Sequence, residues 1–299
     1  MSTIKALLKR NIKLFFKDKG MFFTALITPM ILLVLYATFL GNVYRDSFAM
    51  GLPEGFEILE EIIEGCVGGQ LVSSILAVSC VTVAFCSNML MVQDKANGSL
   101  KDLAVSPVKP SALALGYYFA ALISTLIICY AATGVCLLYL CVIGWYLSTL
   151  DVLLLLTDVL LLSLFGTALS SVVCFFLSSQ GQIAAVGTVV SSGYGFVCGA
   201  YMPVSQFSEG LQRVISFFPG MYGTSLFRNH AMRGALEALE AEGVPANAIE
   251  ALKDAMDCNL YFFDRAVSTT AMYAVLIASI ALLLGIYVLM NWKKAAIRK

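Results

Sequence analysis

Charge is what this sequence has least of. Only 13% of its 299 residues are Asp, Glu, Lys or Arg, whereas 60% are hydrophobic and the mean hydropathy is +0.86. A soluble domain carries about 25% charge and roughly 45–50% apolar residues, so that class is excluded. Histidine occurs once, at position 230. With no HExxH pair and no carboxylate at metal spacing, a histidine-dependent nucleophile or a histidine-rich metal centre lacks its partners. There is no GxxxxGK[ST] phosphate loop, so the chain does not bind and hydrolyse ATP by that route. No basic, aromatic-lined groove is present for nucleic acid, and there is no internal repeat or low-complexity tract. The nine cysteines follow no scaffold spacing. Cys80, Cys86, Cys129, Cys136, Cys141, Cys174 and Cys198 lie inside apolar runs, where a thiol acts as a small hydrophobe. Cys66 and Cys258 fall between the runs, and no spacing supports their pairing.

What the sequence does have is long apolar runs. Six are of membrane-spanning length, about 20 residues or more: 22–41, 68–92, 111–143, 152–177, 183–201 and 267–292. They are continuous rather than alternating, which predicts helices and not barrel strands. The third and fourth exceed a minimal span and are expected to tilt or to project beyond the hydrocarbon. The expected fold is an all-α integral membrane protein of six transmembrane helices, one domain over 1–299. The first run exceeds a signal-peptide core and no small-x-small site follows it, so it reads as an uncleaved span.

The charged residues sort by face. Lys5, Lys9, Arg10, Lys13, Lys17 and Lys19 precede the first run; Lys95, Lys101 and Lys109 follow the second; Lys293, Lys294, Arg298 and Lys299 follow the last. That is 13 of the 19 basic residues, accompanied by only Asp18, Asp94 and Asp102. The other face holds 6 basic and 15 acidic residues. The positive-inside rule predicts cytoplasmic termini and a cytoplasmic 94–110 loop.

Residues 2–19 carry Ile4, Leu7, Leu8, Ile12 and Phe15 at helical spacing, with Lys5, Lys9, Lys13 and Lys17 repeating every fourth residue opposite them. This pattern predicts an interfacial helix whose lysines face anionic lipid. Segment 42–66 is acidic and reads as a solvated loop with a short helix feeding the second span; it lacks the turn glycines of a calcium loop. In the extracytoplasmic segment 202–266, the stretch 202–234 is broken by Pro203, Gly210, Pro219, Gly220 and Gly223. Short re-entrant-type helices are expected there, with Leu211, Val214, Ile215 and Phe218 sharing a face. Two small helices are expected around GVPAN, with Asn247 as N-cap of 248–256.

Asp158 is the one ionisable residue well inside a run. A centred carboxylate costs on the order of 2.5–3.5 kcal/mol on insertion scales. It either handles a proton or substrate, or reaches a polar neighbour or the headgroups. Gly166 and Ser170, Gly187 and Ser191, and Gly195 and Gly199 are pairs of small residues at four-residue spacing. They permit close helix contact, and the fifth run is also a candidate wall of a substrate path. Between two apolar runs lies DKANGSLKDLAVSPVKP (94–110), where Leu100 and Leu103 share a helical face, Lys101 and Asp102 flank it and Pro107 ends it. Its shape suits either a connecting loop or a short helix seated in a partner's groove.

The run QDKANGSLKDLAVSPVKPSALALGYY (93–118) resembles the segment after the second span in permeases of the type-2 ATP-binding-cassette (ABC) exporter family. Asp94, Gly98, Ser99, Leu100, Leu103, Ser106, Pro107 and Gly116 stand at the matching places. A second block, GYGFVCGAYMPVSQFSEGLQRVISFFPGMYGTSLFRNHAMRG (193–234), is similar to the family's fifth span, its methionine-proline exit and the outer helices after it. The six-run layout and basic N-terminal helix agree as well. One departure is Lys95, where family members often continue an acidic run.

The resemblance implies a permease subunit without an ATPase site or cofactor of its own, with ATP and Mg on a partner ABC-type ATPase subunit. A second permease subunit, identical or homologous, would pair with it in a bacterial plasma membrane. Residues 94–107 would be the coupling helix, and spans 1, 2 and 5 would wall the path of a drug, lipid, peptide or glycan-type substrate. Asp158, Gly195, Gly199 and Pro203 are the candidate path or packing residues. Two alternatives stay open: an ion-gradient-driven carrier using Asp158, and a non-transporting membrane subunit of a larger complex. A membrane-embedded enzyme would need paired catalytic groups facing one leaflet, and the sequence offers none.

Overall fold

The computed structural model describes residues 2–50, 60–100, 109–263 and 265–297. Helix α1 is Ser2–Lys17; α2, Lys19–Leu35, passes through a π-helical turn at Tyr36–Leu40 into α3, Gly41–Met50. Then follow α4 (Glu60–Ala96), α5 (Pro110–Ile143), α6 (Thr149–Phe176) and α7 (Gln180–Val197). A 3-10 turn at Val204–Gln206 leads to α8 (Glu209–Ile215), α9 (Pro219–Ala241) and α10 (Ala246–Ala255). A two-stranded antiparallel hairpin, β1 (Leu260–Phe262) and β2 (Arg265–Val267), precedes the last helix, α11 (Thr269–Ile297).

Helix α4 is the axis of the bundle. Its 37 residues extend about 55 Å, and burial is almost unbroken from Gly65 to Val92. Helices α2, α5, α6, α7 and α9 all pack on it. Such dense surrounding needs small side chains. A Cβ on Gly69 would meet the Ala231 carbonyl oxygen of α9 at 2.7 Å, and one on Gly68 would meet Leu140 of α5 at 2.8 Å. On α6, a Cβ on Gly166 would meet the Cys80 carbonyl oxygen at 2.8 Å. This is the close backbone approach by which membrane helices gain van der Waals contact. Polar clasps add to it: Asn88 Nδ2 donates to Ser170 Oγ (2.5 Å), Ser171 Oγ (3.1 Å) and the Thr167 carbonyl (3.3 Å).

Among the described residues five helical segments are long and apolar enough to cross a membrane: Phe22–Asp46, Glu60–Ala96, Ser111–Ile143, Thr149–Phe176 and Thr269–Lys293. The fifth expected span appears as α7, an 18-residue helix of about 27 Å. Its glycines, serines and glutamines make it less apolar than the other five. The protein is thus an all-α integral membrane protein with one small hairpin just before the last span.

Several boundaries differ from the sequence reading. The first helical rod continues through 42–50 instead of opening into a loop, and α4 begins at Glu60, well before the apolar run. Stretch 219–241 is one 23-residue helix that runs through Gly223 and Gly234, not a set of short pieces. Both glycines sit where α9 touches a neighbour: Gly223 against Leu162, Gly234 against the Tyr146 backbone. Packing keeps helical what local propensity would break. Helix α10 begins at Ala246 after Pro245, so Asn247 lies inside it and caps nothing. Pro245 presets the backbone angle that opens the helix.

Helix α1 also differs in what it buries. Lys5, Lys9, Lys13 and Lys17 are all exposed, as the stripe predicts, but the buried line is Leu7, Asn11 and Phe15, which faces protein. The helix lies on α5, and Leu7 Cβ would stand 3.3 Å from a Cβ on Gly116. Because Tyr287 near the end of α11 donates to the Ala114 carbonyl (3.3 Å), α1, the end of α11, the end of α4 and the start of α5 share one end of the bundle. We call this the terminal end and its opposite the distal end.

Candidate functional site

At the terminal end, α4 stops at Ala96 and Gly98 takes φ +82°, the left-handed conformation that closes a helix and that only glycine adopts without strain. The Gly98 N–H reaches back to the Lys95 carbonyl (3.3 Å). Helical structure resumes at Ser99 and Leu100. Leu103, Ser106 and Pro107 lie outside the described residues. Leu100 is half-buried and packs on a cluster of Met91, Val92, Tyr117, Cys174 and Ile183, so its side chain anchors the loop to the bundle.

Two charged residues root this loop. Asp94 is buried and accepts from Arg10 Nη1 (2.7 Å), Arg10 Nη2 (3.1 Å) and the Tyr117 hydroxyl (2.5 Å). The Asp94 carboxylate beside it holds the Arg10 guanidinium above its ordinary pKa. Such a bidentate pair is among the stronger polar contacts available to a protein. It joins α1, α4 and α5 within a few ångströms. Lys95 turns the other way: Nζ donates to the carbonyls of Cys174 (2.7 Å), Phe175 (2.9 Å) and Leu177 (3.1 Å). These carbonyls lie at the C-terminus of α6, where a cation is favoured. The lysine that departs from the family's acidic run therefore has an internal use, tying the loop to α6.

Helices α2 and α7 stand apart over α4 and leave a groove of about 1280 Å³. Ile27, Ile31, Leu35 and Phe39 form one wall, Ile183, Gly187, Ser191 and Phe196 the other, with Cys86 and Met89 of α4 as the floor. Among the described residues no charged side chain lines it. At its distal mouth stand three of the residues singled out in the sequence. The Tyr201 ring lies directly on Gly195, leaving no room for a Cβ, while its hydroxyl donates to the Ser191 carbonyl (3.0 Å). Gly199 takes φ +74°, and a Cβ there would meet Val204 at 2.8 Å. Pro203 is buried and opens the 3-10 turn.

The 198–205 loop is pinned from behind. Asp257 accepts from the Val204 N–H (2.5 Å), the Ser205 N–H (3.1 Å) and Arg228 Nη1 (3.0 Å), and Arg228 Nη2 donates to the Gly199 carbonyl. From the groove side, Tyr36 OH donates to the Ala200 carbonyl (3.1 Å). Asp257 itself holds φ +52°, unusual for a residue with a side chain, and its three bonds stabilise that conformation. Burial pushes the neighbouring Cys258 thiol up to about 12. Cys66 and Cys258 are both buried free thiols.

Asp158 does not line the groove. It is buried between α6, α9 and α11, where His230 Nδ1 lies 2.6 Å from Oδ2 and Tyr273 OH donates to Oδ1 (2.8 Å). Of its two readings, the polar neighbour describes the structure. One helical turn further along α9, Arg233 pairs with Asp151 (2.7 Å) of the α6 capping box. Two carboxylates of α6 thus fasten α9.

The structure brings Gly195, Gly199 and Pro203 together, roots Asp94, Gly98, Ser99 and Leu100 at the other end, and leaves Asp158 apart. It adds Arg10, Tyr36, Tyr117, Arg228 and Asp257, which sequence reasoning did not single out. Arg10 alone had a visible signal: it falls off the every-fourth lysine stripe, on the flank next to the buried line. Among the described residues no group of His, Cys, Asp and Glu is arranged to hold a metal ion. No curated protein matches the chain. The description of the ABC-2 type transporter family, however, fits residues 2–231, and the chain belongs to that family as a permease subunit of an ABC transporter.

Proposed function

We propose that this chain is the membrane-spanning half of an ATP-driven exporter in a bacterial plasma membrane. Its terminal end, with both termini, faces the cytoplasm, where loop 94–110 seats in an ABC-type ATPase subunit that carries ATP and Mg. The observation that carries this reading is how the loop is rooted. Arg10–Asp94–Tyr117 and the Lys95 cap tie its first residues to α1, α5 and α6 at the foot of α4, the helix that floors the groove. A push on the loop therefore moves α4 and its neighbours as a body, because packed cores shift between discrete arrangements and do not deform continuously.

The groove between α2 and α7 is the cargo path, and a second permease subunit, identical or homologous, closes its open side. Exposed apolar residues along α2, including Phe23, Ile27, Ile31 and Phe39, suit contact with a second subunit or with lipid. The cargo is a drug, lipid, peptide or glycan-type molecule with little net charge, since the described lining residues offer no charge to pair. An ion-gradient-driven carrier using Asp158 is the weaker reading, because that carboxylate is bonded on both oxygens and lies off the groove.

The test is co-purification with the candidate ATPase, comparing wild type with Leu103→Asp while Leu100, which anchors the loop, is kept. Loss of the ATPase from a permease that stays monodisperse supports docking at 94–110. Retention at the wild-type level places docking elsewhere and removes the mechanical basis of the exporter reading.

A further inference from the structure

The groove between α2 and α7 changes chemistry along its length. Past Thr24 and Gln180 at the terminal mouth, the walls of its terminal half are aliphatic: Ile27 and Ile31 on α2, Ile183 and Ala184 on α7. Gly187 follows on α7, where a Cβ would meet Met89 of the floor at 2.9 Å. Beyond it the α7 wall turns polar, with Thr188, Ser191 and Ser192, and Tyr201 stands after the end of the helix. Thr188 and Ser192 are one turn apart on the same face, and both are exposed to the groove. The α2 wall opposite carries a single polar group in this half of the helix, the Tyr36 phenol.

The hydroxyls of the lining have already committed their protons. Thr188 Oγ1 donates to the Ala184 carbonyl (3.0 Å), Ser192 Oγ to the Thr188 carbonyl (2.8 Å) and Tyr201 OH to the Ser191 carbonyl (3.0 Å). Tyr36 OH donates to the Ala200 carbonyl, and at the terminal mouth Thr24 Oγ1 donates to the Gly20 carbonyl (2.7 Å). A hydroxyl has one proton and two lone pairs. With those bonds kept, each of these groups meets an occupant as an acceptor. Among the described lining residues no lysine or arginine supplies donors, and no carboxylate attracts a cation. Gln180 at one mouth and Gln206 at the other both donate and accept.

This balance selects among neutral cargoes. An ester, ether or ketone brings only acceptors and would set lone pair against lone pair along the α7 wall. A hydroxyl brings a proton to Thr188, Ser192 and Tyr201, and lone pairs to the two glutamine amides. The wall from Gln180 to Phe196 is about 24 Å long, room for an apolar tail and a sugar-sized head end to end.

Resting on the reading of the groove as a cargo path, we propose that it selects an uncharged, hydroxyl-bearing amphipathic cargo. The hydroxylated head lies in the distal half against Thr188, Ser192 and Tyr201, and the apolar tail lies in the terminal half. Thr188 and Ser192 are the specificity-determining residues, and they discriminate by accepting the cargo's protons.

The experiment uses the full chain in lipid nanodiscs and two decyl probes with a diazirine at the tail end, decyl glucoside and its tetra-O-methyl ether. The ether keeps the oxygens and removes only their protons. Labelled peptides are read by mass spectrometry. The quantity compared is the ratio of half-labelling concentrations of the two probes, taken between proteins so that their different partition into lipid cancels. Thr188→Val combined with Ser192→Ala is expected to lower the preference for the glucoside about tenfold, the worth of two neutral hydrogen bonds, with labelling by the ether unchanged. Either substitution alone should lower it about threefold. Thr188→Ser keeps the acceptor and should keep the wild-type ratio. The tail label is expected on 24–31 and 180–187. A ratio unmoved by the double substitution, a ratio lost equally in Thr188→Ser, or tail label confined to the distal half would each overturn the hydroxyl selection and leave the path standing. No label on any groove peptide from either probe would overturn the path reading itself. Both substitutions remove oxygens whose bonds lie within α7, so the protein should stay monodisperse.

Discussion

The two ends of the bundle use the same chemistry to opposite effect. At the terminal end, Arg10 and Asp94 pair where Arg10 is still one-third exposed, and the pair sits beside a loop whose first residues re-enter helix at Ser99. At the distal end, Arg228 and Asp257 pair with the arginine side chain 1% exposed, and every residue they bond is fixed backbone. The first pair connects three helices at the root of the loop. The second immobilises the loop at the groove's mouth. Solvent exposure is the difference: a pair with one partner one-third exposed is partly screened and costs less to rearrange, whereas a fully buried one is costly to break.

That contrast can be broken most severely at Asp257. Asp257→Ala strands the buried Arg228 charge and frees the Val204 and Ser205 N–H groups. A loss of about 3–5 kcal/mol is expected, read as loss of monodisperse protein or a large drop in melting temperature in detergent. A drop no greater than that of a surface substitution would show that the distal end is not locked by this pair. Asp158→Asn should cost less, about 1–3 kcal/mol, because His230 and Tyr273 keep a neutral partner. ATP-driven transport should persist in that variant. Abolished transport with normal ATPase activity would instead give Asp158 a role in moving cargo or protons.

At the terminal end, a double-mutant cycle of Arg10→Ala and Asp94→Ala should return a coupling of about 1–2 kcal/mol in thermal unfolding, discounted for the exposure of Arg10. The same variants should uncouple ATP hydrolysis from transport more than they lower melting. Coupling near zero, with transport intact, would detach α1 from the loop. Gly98→Ala places a Cβ in open space but in a left-handed backbone, so about 1 kcal/mol of strain is expected with the loop displaced. A normal transport rate there would mean that the turn after α4 carries no force.

The mildest probe is the Cys258 thiol. Its pKa, pushed by burial from the ordinary 9 to about 12, lies above that of the unfolded chain. Between those values the unfolded state holds fewer protons, so stability falls as pH rises through that window. Maleimide labelling of Cys258 at pH 8 should track global unfolding. Rapid labelling of folded protein would show that the distal end opens locally.

How much of this was legible beforehand depends on sequence distance. Apolar runs longer than a bilayer needs and the lysines at every fourth position are local patterns, and the helices and exposed basic stripe follow from them. The same patterns mislead where packing overrides propensity, as in α9, which keeps its helix through Gly223 and Gly234 because each touches a neighbour. Asp158 was visible as a buried charge that needed a partner. That the partner is His230, 72 residues on, with Tyr273 beyond it, was not. Lys95 looked like a break in an acidic surface, yet it faces inward to the end of α6.

By itself, the sequence determined that this chain is an all-α membrane protein and where most of its long apolar helices run. Those properties are set by the solvent each segment prefers, summed over about 20 neighbouring residues. Only the tertiary structure decided that α4 is the axis, that Asp94 and Lys95 root the loop, and that Arg228 and Asp257 meet behind the 198–205 loop. Those outcomes depend on contacts between residues far apart in the chain, where burial makes each polar atom's partner a matter of geometry and not of sequence.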